Sequence, residues 1–270
     1  VTYMGLVFIN CDPNAGDLVA SLENIREPLG AYNLDQAKVA HRKTYRVEAN
    51  WKLAIENYLE CYHCATSHRA YAKMHTLKDL DEKSAPVVAK MLENADEITG
   101  IPGISKEHTE IYLDAPSFGA CALTMRYGLF EGYVTGSQDG QPVAPLMGDF
   151  KDYDGGAGGF QMGPLTFMLN YPDHCVLYRF LPRSLTETDA ELVWFVSGDA
   201  KASSIVKVQM DQPASIGSFD GAKSLRRPAL TVVVSRDRDS DRFAPAIGYA
   251  CRFPLQHLFQ ALGSCRPSAR

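Results

Sequence analysis

Two imidazoles and a carboxylate fall within one short stretch of this chain, Asn50-Trp51-Lys52-Leu53-Ala54-Ile55-Glu56-Asn57-Tyr58-Leu59-Glu60-Cys61-Tyr62-His63-Cys64-Ala65-Thr66-Ser67-His68. Imidazole binds iron, zinc, copper or nickel. Two His and one carboxylate on one face of Fe(II) leave coordination positions open for oxygen. His63 and His68 are candidate ligands for such a metal, and a third ligand must come from elsewhere in the chain.

These side chains need an element to position them. At a helical period Trp51, Ile55, Tyr58, Leu59 and Tyr62 share one face and Lys52, Glu56 and Glu60 another, which predicts an amphipathic helix over residues 50–62 with Asn50 as N-cap. On a continuous helix, residues five apart are rotated by about 140°, so His63 and His68 could not chelate from one face. A zinc-protease pair sits four apart with Glu directly after the first His, whereas Cys64 follows His63 here. The two rings converge only if the helix ends or bends between them, and Ala65-Thr66-Ser67 is a weak enough helical run to allow it. Glu60, three residues before His63, either fixes an imidazole tautomer from outside the metal or is a solvated helix residue. A zinc hydrolase would need a general base near the metal, and only Glu56 or Glu60 could serve; this reading ranks last.

Taken whole, the string resembles the mononuclear-iron motif of the catalytic domain of Rieske-type non-haem iron ring-hydroxylating oxygenase alpha subunits. Asn-Trp-Lys opens the helix, Glu-Asn follows, then an acidic residue, Tyr-His, and a second His five residues on. The resemblance implies that His63 and His68 bind mononuclear Fe(II) and that Glu60 is the acidic bridge through which electrons reach it. Glu rather than Asp at that bridge, followed by Cys61-Tyr62-His63-Cys64, resembles the branch that oxidises quaternary ammonium compounds. The family's third ligand is an Asp on a later helix. Asp211 lies in the corresponding range but precedes Gln212-Pro213, and a residue before Pro is disfavoured in a helix; Asp220 is no better placed.

The same resemblance implies a substrate that is a small organic molecule, O2 as co-substrate, and hydroxylation, dihydroxylation or oxidative demethylation as the reaction. It implies a reductase or ferredoxin as electron source and a homotrimer that places Glu60 at a subunit interface. A 2Fe-2S cluster needs two Cys and two His ligands, and the family's paired Cys-x-His and Cys-x-x-His do not occur here, so the cluster is expected from a domain or partner outside this chain. Gly5 to Pro13 resembles the last strand leaving a Rieske domain. Residues 1–38 are then read as the end of that domain with a linker helix, 39–200 as the mononuclear-iron catalytic domain and 201–270 as a divergent, aberrant tail. Glu is frequent up to Glu191 and absent afterwards, while Arg226-Arg227-Pro228 and Arg236-Asp237-Arg238-Asp239 break the family's pattern. The alternative readings are a non-catalytic ligand-binding protein of the same fold and an inactive truncated homologue.

Composition narrows the class. The 270 residues are 46% hydrophobic, enough for a substantial core, and the net charge of −5 without a basic run gives no footprint for nucleic acid. No apolar run is long enough to cross a bilayer and no signal segment opens the sequence, so a cytoplasmic protein without membrane partners is expected. Seven scattered Cys fit free thiols in a reducing compartment, and Cys61 and Cys64 are read as packing residues.

Leu18, Leu22, Ile25 and Leu29 predict a connecting helix over 16–31, and Val39, Tyr45 and Val47 a strand over 39–48. The segment Lys73 to Glu97 is charged and mostly helical, with His75, like His108 beyond it, expected at the surface. Strands are expected at 120–130, 165–171, 175–181 and 191–197. The run Asp154 to Gly159 lacks the Lys of a phosphate loop and reads as a flexible loop. A helix followed by consecutive strands implies an α+β architecture, matching the family's helix-grip (START/Bet v 1-like) fold, an antiparallel sheet wrapped on a long helix. Tyr127, Phe130, Tyr133, Phe160, Phe167 and Tyr171 are candidates to line a pocket for a cation.

Overall fold

The computed structural model describes residues 1–10, 13–14, 16–60, 63–76, 82–104, 110–112, 121–201 and 203–204. A hairpin of β1 (Thr2–Tyr3) and β2 (Leu6–Val7) leads into α1 (Leu18–Ser21), a 3-10 turn at Glu23–Ile25 and α2 (Arg26–Gly30). Then come β3 (Lys38–Val47), α3 (Trp51–Leu59), α4 (Cys64–Ser67), α5 (Arg69–Met74), α6 (Ser84–Glu93) and α7 (Ala95–Thr99). The remaining strands are β4 (Glu110–Tyr112), β5 (Cys121–Gly128), β6 (Gly156–Met162), β7 (Thr166–Tyr171), β8 (His174–Pro182) and β9 (Thr188–Val196). The last seven strands form one sheet in the order β3-β9-β8-β7-β6-β5-β4, every neighbour antiparallel.

Both faces of this sheet are covered. Phe167, Leu169, Tyr171, Val176, Tyr178, Phe180, Leu192, Trp194 and Val196 point to one side, where Ala54 and Ile55 of α3 join them. Met168, Cys175, Leu177 and Val193 alternate to the other side, against Leu22, Ile25, Leu29 and Tyr32. Successive strand side chains face opposite ways, so a strand buried on both faces reads as a nearly continuous apolar run. That is the character of Cys175-Val176-Leu177-Tyr178.

The expected helix over 16–31 is broken into α1, the 3-10 turn and α2. Its periodicity still places Leu22, Ile25 and Leu29 fully inside. Asp17 caps α1 by accepting from Val19 N at 2.9 Å. Pro28 is tolerated because it lies in the first turn of α2, where its missing N–H would have no helical partner.

The Gly-rich run is the clearest correction. Gly156–Met162 is not a flexible loop but an inner strand of the sheet, every residue buried and paired with β5 and β7. A Cβ on Gly159 would lie 2.8 Å from Tyr127 Cε2 and 2.9 Å from Met125 Cγ. Glycine is required there by the side chains lying over the backbone, a use of Gly in strands that sequence alone reads as turn chemistry. Only Gly155, at φ +74°, serves as a turn.

His75 corrects a second expectation: it is buried, not at the surface. Asp211, Asp220, His108, Cys61 and all but a few residues of the segment 201–270 lie outside the described residues.

Candidate functional site

Asn50 does cap α3, accepting from Lys52 N at 3.0 Å. The helix stops at Leu59, three residues short of the expected end, because Glu60 turns to extended backbone (φ −87°, ψ 147°). One further helical turn, α4, separates the two His. His63 is its N-cap and His68 leaves it at φ −123°, ψ 60°. The predicted helix end thus falls at His68, and it swings the second ring back toward the first.

The rings meet at 83° with Nε2 to Nε2 at 3.0 Å. Two imidazole nitrogens at right angles around a first-row metal, each at about 2.1 Å, lie about 3.0 Å apart. The pair therefore fits a shared metal ion. Burial, and then the neighbouring His63, pull the His68 pKa down to about 4, so His68 is neutral at pH 7, as a ligand must be. His63 Nδ1 lies in close contact with Glu60 Oε1. A carboxylate there accepts a hydrogen bond from Nδ1–H, which selects the tautomer whose Nε2 lone pair is directed at His68. Asn57 Nδ2 also donates to Glu60 Oε1, at 3.2 Å. Burial, and then Glu60, raise the pKa of Glu56 on the preceding turn. Among the described residues, no three His, Cys, Asp or Glu side chains gather into a metal-holding group.

The His pair opens onto a cavity of about 90 Å³ between α3 and the sheet. Aromatic rings dominate its wall: Tyr58, Tyr71, Tyr127, Phe160, Phe167 and Tyr178. Of the six rings singled out in the sequence, Tyr127, Phe160 and Phe167 line it, whereas Phe130, Tyr133 and Tyr171 do not. Tyr58, Tyr71 and Tyr178 were missed as pocket residues. The first and last share sequence faces with Ile55 and Val176, which gave the signal, and Tyr58 stacks near Phe167 and Tyr178 at centroid distances of 5.0 and 4.9 Å. Gly159 also lines the cavity, as a bare stretch of wall.

Behind Tyr71 runs a buried polar ladder. The His75 ring stacks on Tyr71 at 4.1 Å, and its Nε2 bonds the Tyr171 hydroxyl at 2.6 Å. Tyr171 stacks in turn on His174, whose Nδ1 donates to Asp173 Oδ1 at 2.8 Å. Burial draws the His75 pKa down to about 4, while its bond to the Tyr71 carbonyl opposes the shift. The unfolded chain, with an ordinary His near 6.5, then binds more protons than the folded one between pH 6.5 and 4, so stability falls as pH drops through that window. Urea unfolding at pH 7 and pH 5 should show a loss of about 2 kcal/mol attributable to His75. In His75→Phe that part of the pH dependence should vanish; an unchanged slope would show that His75 accepts a proton without unfolding the chain.

Residues 34–216 match the ring hydroxylating alpha subunit (catalytic domain) family. The chain belongs to this family. Within it, the glycine betaine monooxygenase oxygenase subunit of Pseudomonas aeruginosa strain UCBPP-PA14 is 34% identical over 200 residues, 73% of this chain and 45% of that protein. The carnitine monooxygenase oxygenase subunit of Escherichia coli K12 is 45% identical over 76 residues, 26% of this chain and 19% of that protein. The chain spans about half the length of the betaine relative that it matches. Two solved structures share the mixed helix and antiparallel-sheet fold of Rieske oxygenase catalytic domains. One is the quaternary ammonium Rieske monooxygenase CntA with an inhibitor, at TM-score 0.52, 18% identity and coverage of 83% of this chain and 49% of that one. The other is naphthalene 1,2-dioxygenase from Rhodococcus sp. bound to indole, at TM-score 0.51, 15% identity and coverage of 84% and 52%. No helix among the described residues of this catalytic domain is long and apolar enough to cross a membrane.

Proposed function

We infer that the chain is the catalytic part of an iron- and O2-dependent oxygenase acting on a small organic substrate with a quaternary ammonium group. The observation that carries this reading is the His63–His68 pair, 3.0 Å apart at the mouth of an aromatic-walled cavity. Fe(II) held by the two imidazoles and a carboxylate would supply oxygen activation at its open positions. Asp211 is the proposed carboxylate. The faces of Tyr58, Tyr71, Tyr127 and Tyr178 attract a cationic headgroup, and such cages select quaternary ammonium. Glycine betaine and carnitine, named for the relatives above, are substrates of that class. Glu60 holds the Nδ1 proton of His63 and offers a short through-bond path to its ring. In this reading a 2Fe-2S Rieske cluster and a reductase or ferredoxin deliver electrons through Glu60, across the interface of a homotrimer in the cytoplasm. The fold is of the helix-grip kind, with α3 in the grip of the sheet; residues 1–38 serve as linker and 39–200 as the catalytic unit.

The experiment is O2 uptake by the Fe(II)-loaded chain supplied with a Rieske-cluster protein, a reductase and either glycine betaine or carnitine. Substrate-dependent uptake is expected. Uptake with an aromatic hydrocarbon but neither ammonium compound would overturn the substrate class, and none with any substrate despite bound iron would overturn the enzyme reading. Glu60→Gln separates its two roles: a bridge loses turnover with iron retained, whereas a residue that only orients His63 weakens iron binding by about 10–100-fold.

A further inference from the structure

The opposite face of the sheet holds a second cavity, of about 290 Å³, bordered by Arg126, Tyr32, Gly158, Phe160, Ile104 and Pro28. Alternation along β5 separates it from the iron site. Leu123, Met125 and Tyr127 turn to the His pair, whereas Thr124 and Arg126 turn to this cavity.

Its polar groups are unusually incomplete. The Arg126 side chain is 7% exposed and is ion-paired to the buried Asp154 through Nη2 alone. Among the described residues, its Nε and Nη1 have no hydrogen-bond partner. The Tyr32 hydroxyl, in a residue 1% exposed, has none either. Packing fixes the Tyr32 ring, with Phe150 at 4.8 Å and Phe160 edge-on at 5.9 Å. Gly158 makes the space: a Cβ there would lie 3.0 Å from the Tyr32 hydroxyl. Gly158 pairs with Arg126 on one side and Asn170 on the other, and directly opposed residues share a face of the sheet. The Asn170 amide, fully buried, is likewise without a partner at either atom.

A guanidinium only donates. Burial pushes the Tyr32 pKa far up, so its hydroxyl keeps its proton and can donate as well. Buried donors without acceptors are rare in folded proteins, and each calls for an occupant that accepts. Nε–H and Nη1–H leave the guanidinium on different edges, so a carboxylate oxygen accepts from one of them at a time, as a charge-assisted hydrogen bond, and its second oxygen is left for the Tyr32 hydroxyl. Asp154 already balances Arg126, and at the rim Arg26 is paired with Glu23 while Glu27 adds a further carboxylate, so the site suits one negative charge at most rather than the two of a phosphate.

We propose that this cavity is a binding site for a small monocarboxylate, separate from the iron site, with Arg126 and Tyr32 holding the carboxylate and Phe160, Ile104 and Pro28 its apolar body. Calorimetric titration of the whole chain with benzoate, beside benzamide, tests it. Benzoate should bind saturably, and benzamide at least about tenfold more weakly, since it lacks the charge that strengthens a hydrogen bond from a guanidinium. Arg126→Lys keeps a cation for Asp154 but removes the Nε and Nη1 donors and should weaken benzoate at least about tenfold. Tyr32→Phe keeps the packed ring and should weaken it about threefold or more, which leaves a test if the lysine variant fails to fold. The His63→Ala, His68→Ala variant should bind benzoate like the unaltered chain. No saturable binding, equal binding of benzamide, unaltered affinity in Tyr32→Phe, or loss of binding in the double-His variant would each overturn the proposal; the last would place benzoate at the iron site.

Discussion

Replacing both His63 and His68 by alanine is expected to strip the chain of iron, from a stoichiometric amount to background. The Nε2 atoms stand at the separation that two ligands of one metal adopt, and a lone remaining carboxylate cannot hold Fe(II) against water and competing metals. Either single substitution should weaken binding by more than about 100-fold, beyond the effect of losing an outer partner of a ligand. Metal analysis of purified protein, with circular dichroism to confirm folding, measures this directly. Stoichiometric iron in the double variant would remove the basis for the oxygenase reading.

The second large effect is expected at the end of the polar ladder that begins at Tyr71. Asp173 is fully buried, and its carboxylate accepts from Thr135 Oγ1 at 2.5 Å, His174 Nδ1 at 2.8 Å and Val143 N at 2.9 Å. Burial pushes its pKa up, but the charge of His174 and these three hydrogen bonds outweigh it and hold the carboxyl below the usual range. A group with a depressed folded pKa stabilises at pH values above its unfolded pKa, and that stability is lost as pH falls through the folded one. Asp173→Ala leaves a hydroxyl, an amide and an imidazole buried without their partner. The expected cost is about 3–5 kcal/mol, a fall in Tm of roughly 10 °C for a chain of this size. Asp173→Asn keeps an acceptor and should recover part of it. Thermal unfolding at pH 7 measures both; a fall in Asp173→Ala of under about 2 °C would mean that water enters and satisfies the three donors.

The convergence of His63 and His68 was legible because its information is local. The N-cap, the apolar face of α3, the weak helical run before His68 and the His spacing all lie within residues 50–68, and together they anticipate a helix end at the site. The strands at 39–48, 165–171, 175–181 and 191–197 were legible from β-branched and aromatic runs, within a residue or three of their observed ends. What failed depended on partners distant in sequence. The run Asp154 to Gly159 looks like a loop until Tyr127, Met125, Tyr32 and Phe160 are known to lie over its glycines. His75 looks exposed among charged neighbours until Tyr171, 96 residues away, is brought to its Nε2. The burial of Arg126, ion-paired through Nη2 alone, had no signal, because a strand Arg in a sequence reads as a surface charge.

Gly158 and Gly159 are adjacent residues on one strand, one bordering the Arg126 cavity and the other the His63–His68 cavity. The partition between the two chambers is there a single polypeptide in thickness, without side chains of its own. A side chain at either position meets a ring that walls a chamber: a Cβ at 159 would lie 2.8 Å from Tyr127 Cε2, and one at 158 would lie 3.0 Å from Phe160 Cε2, a ring that borders both chambers, so bulk added on one side of this wall is felt on the other.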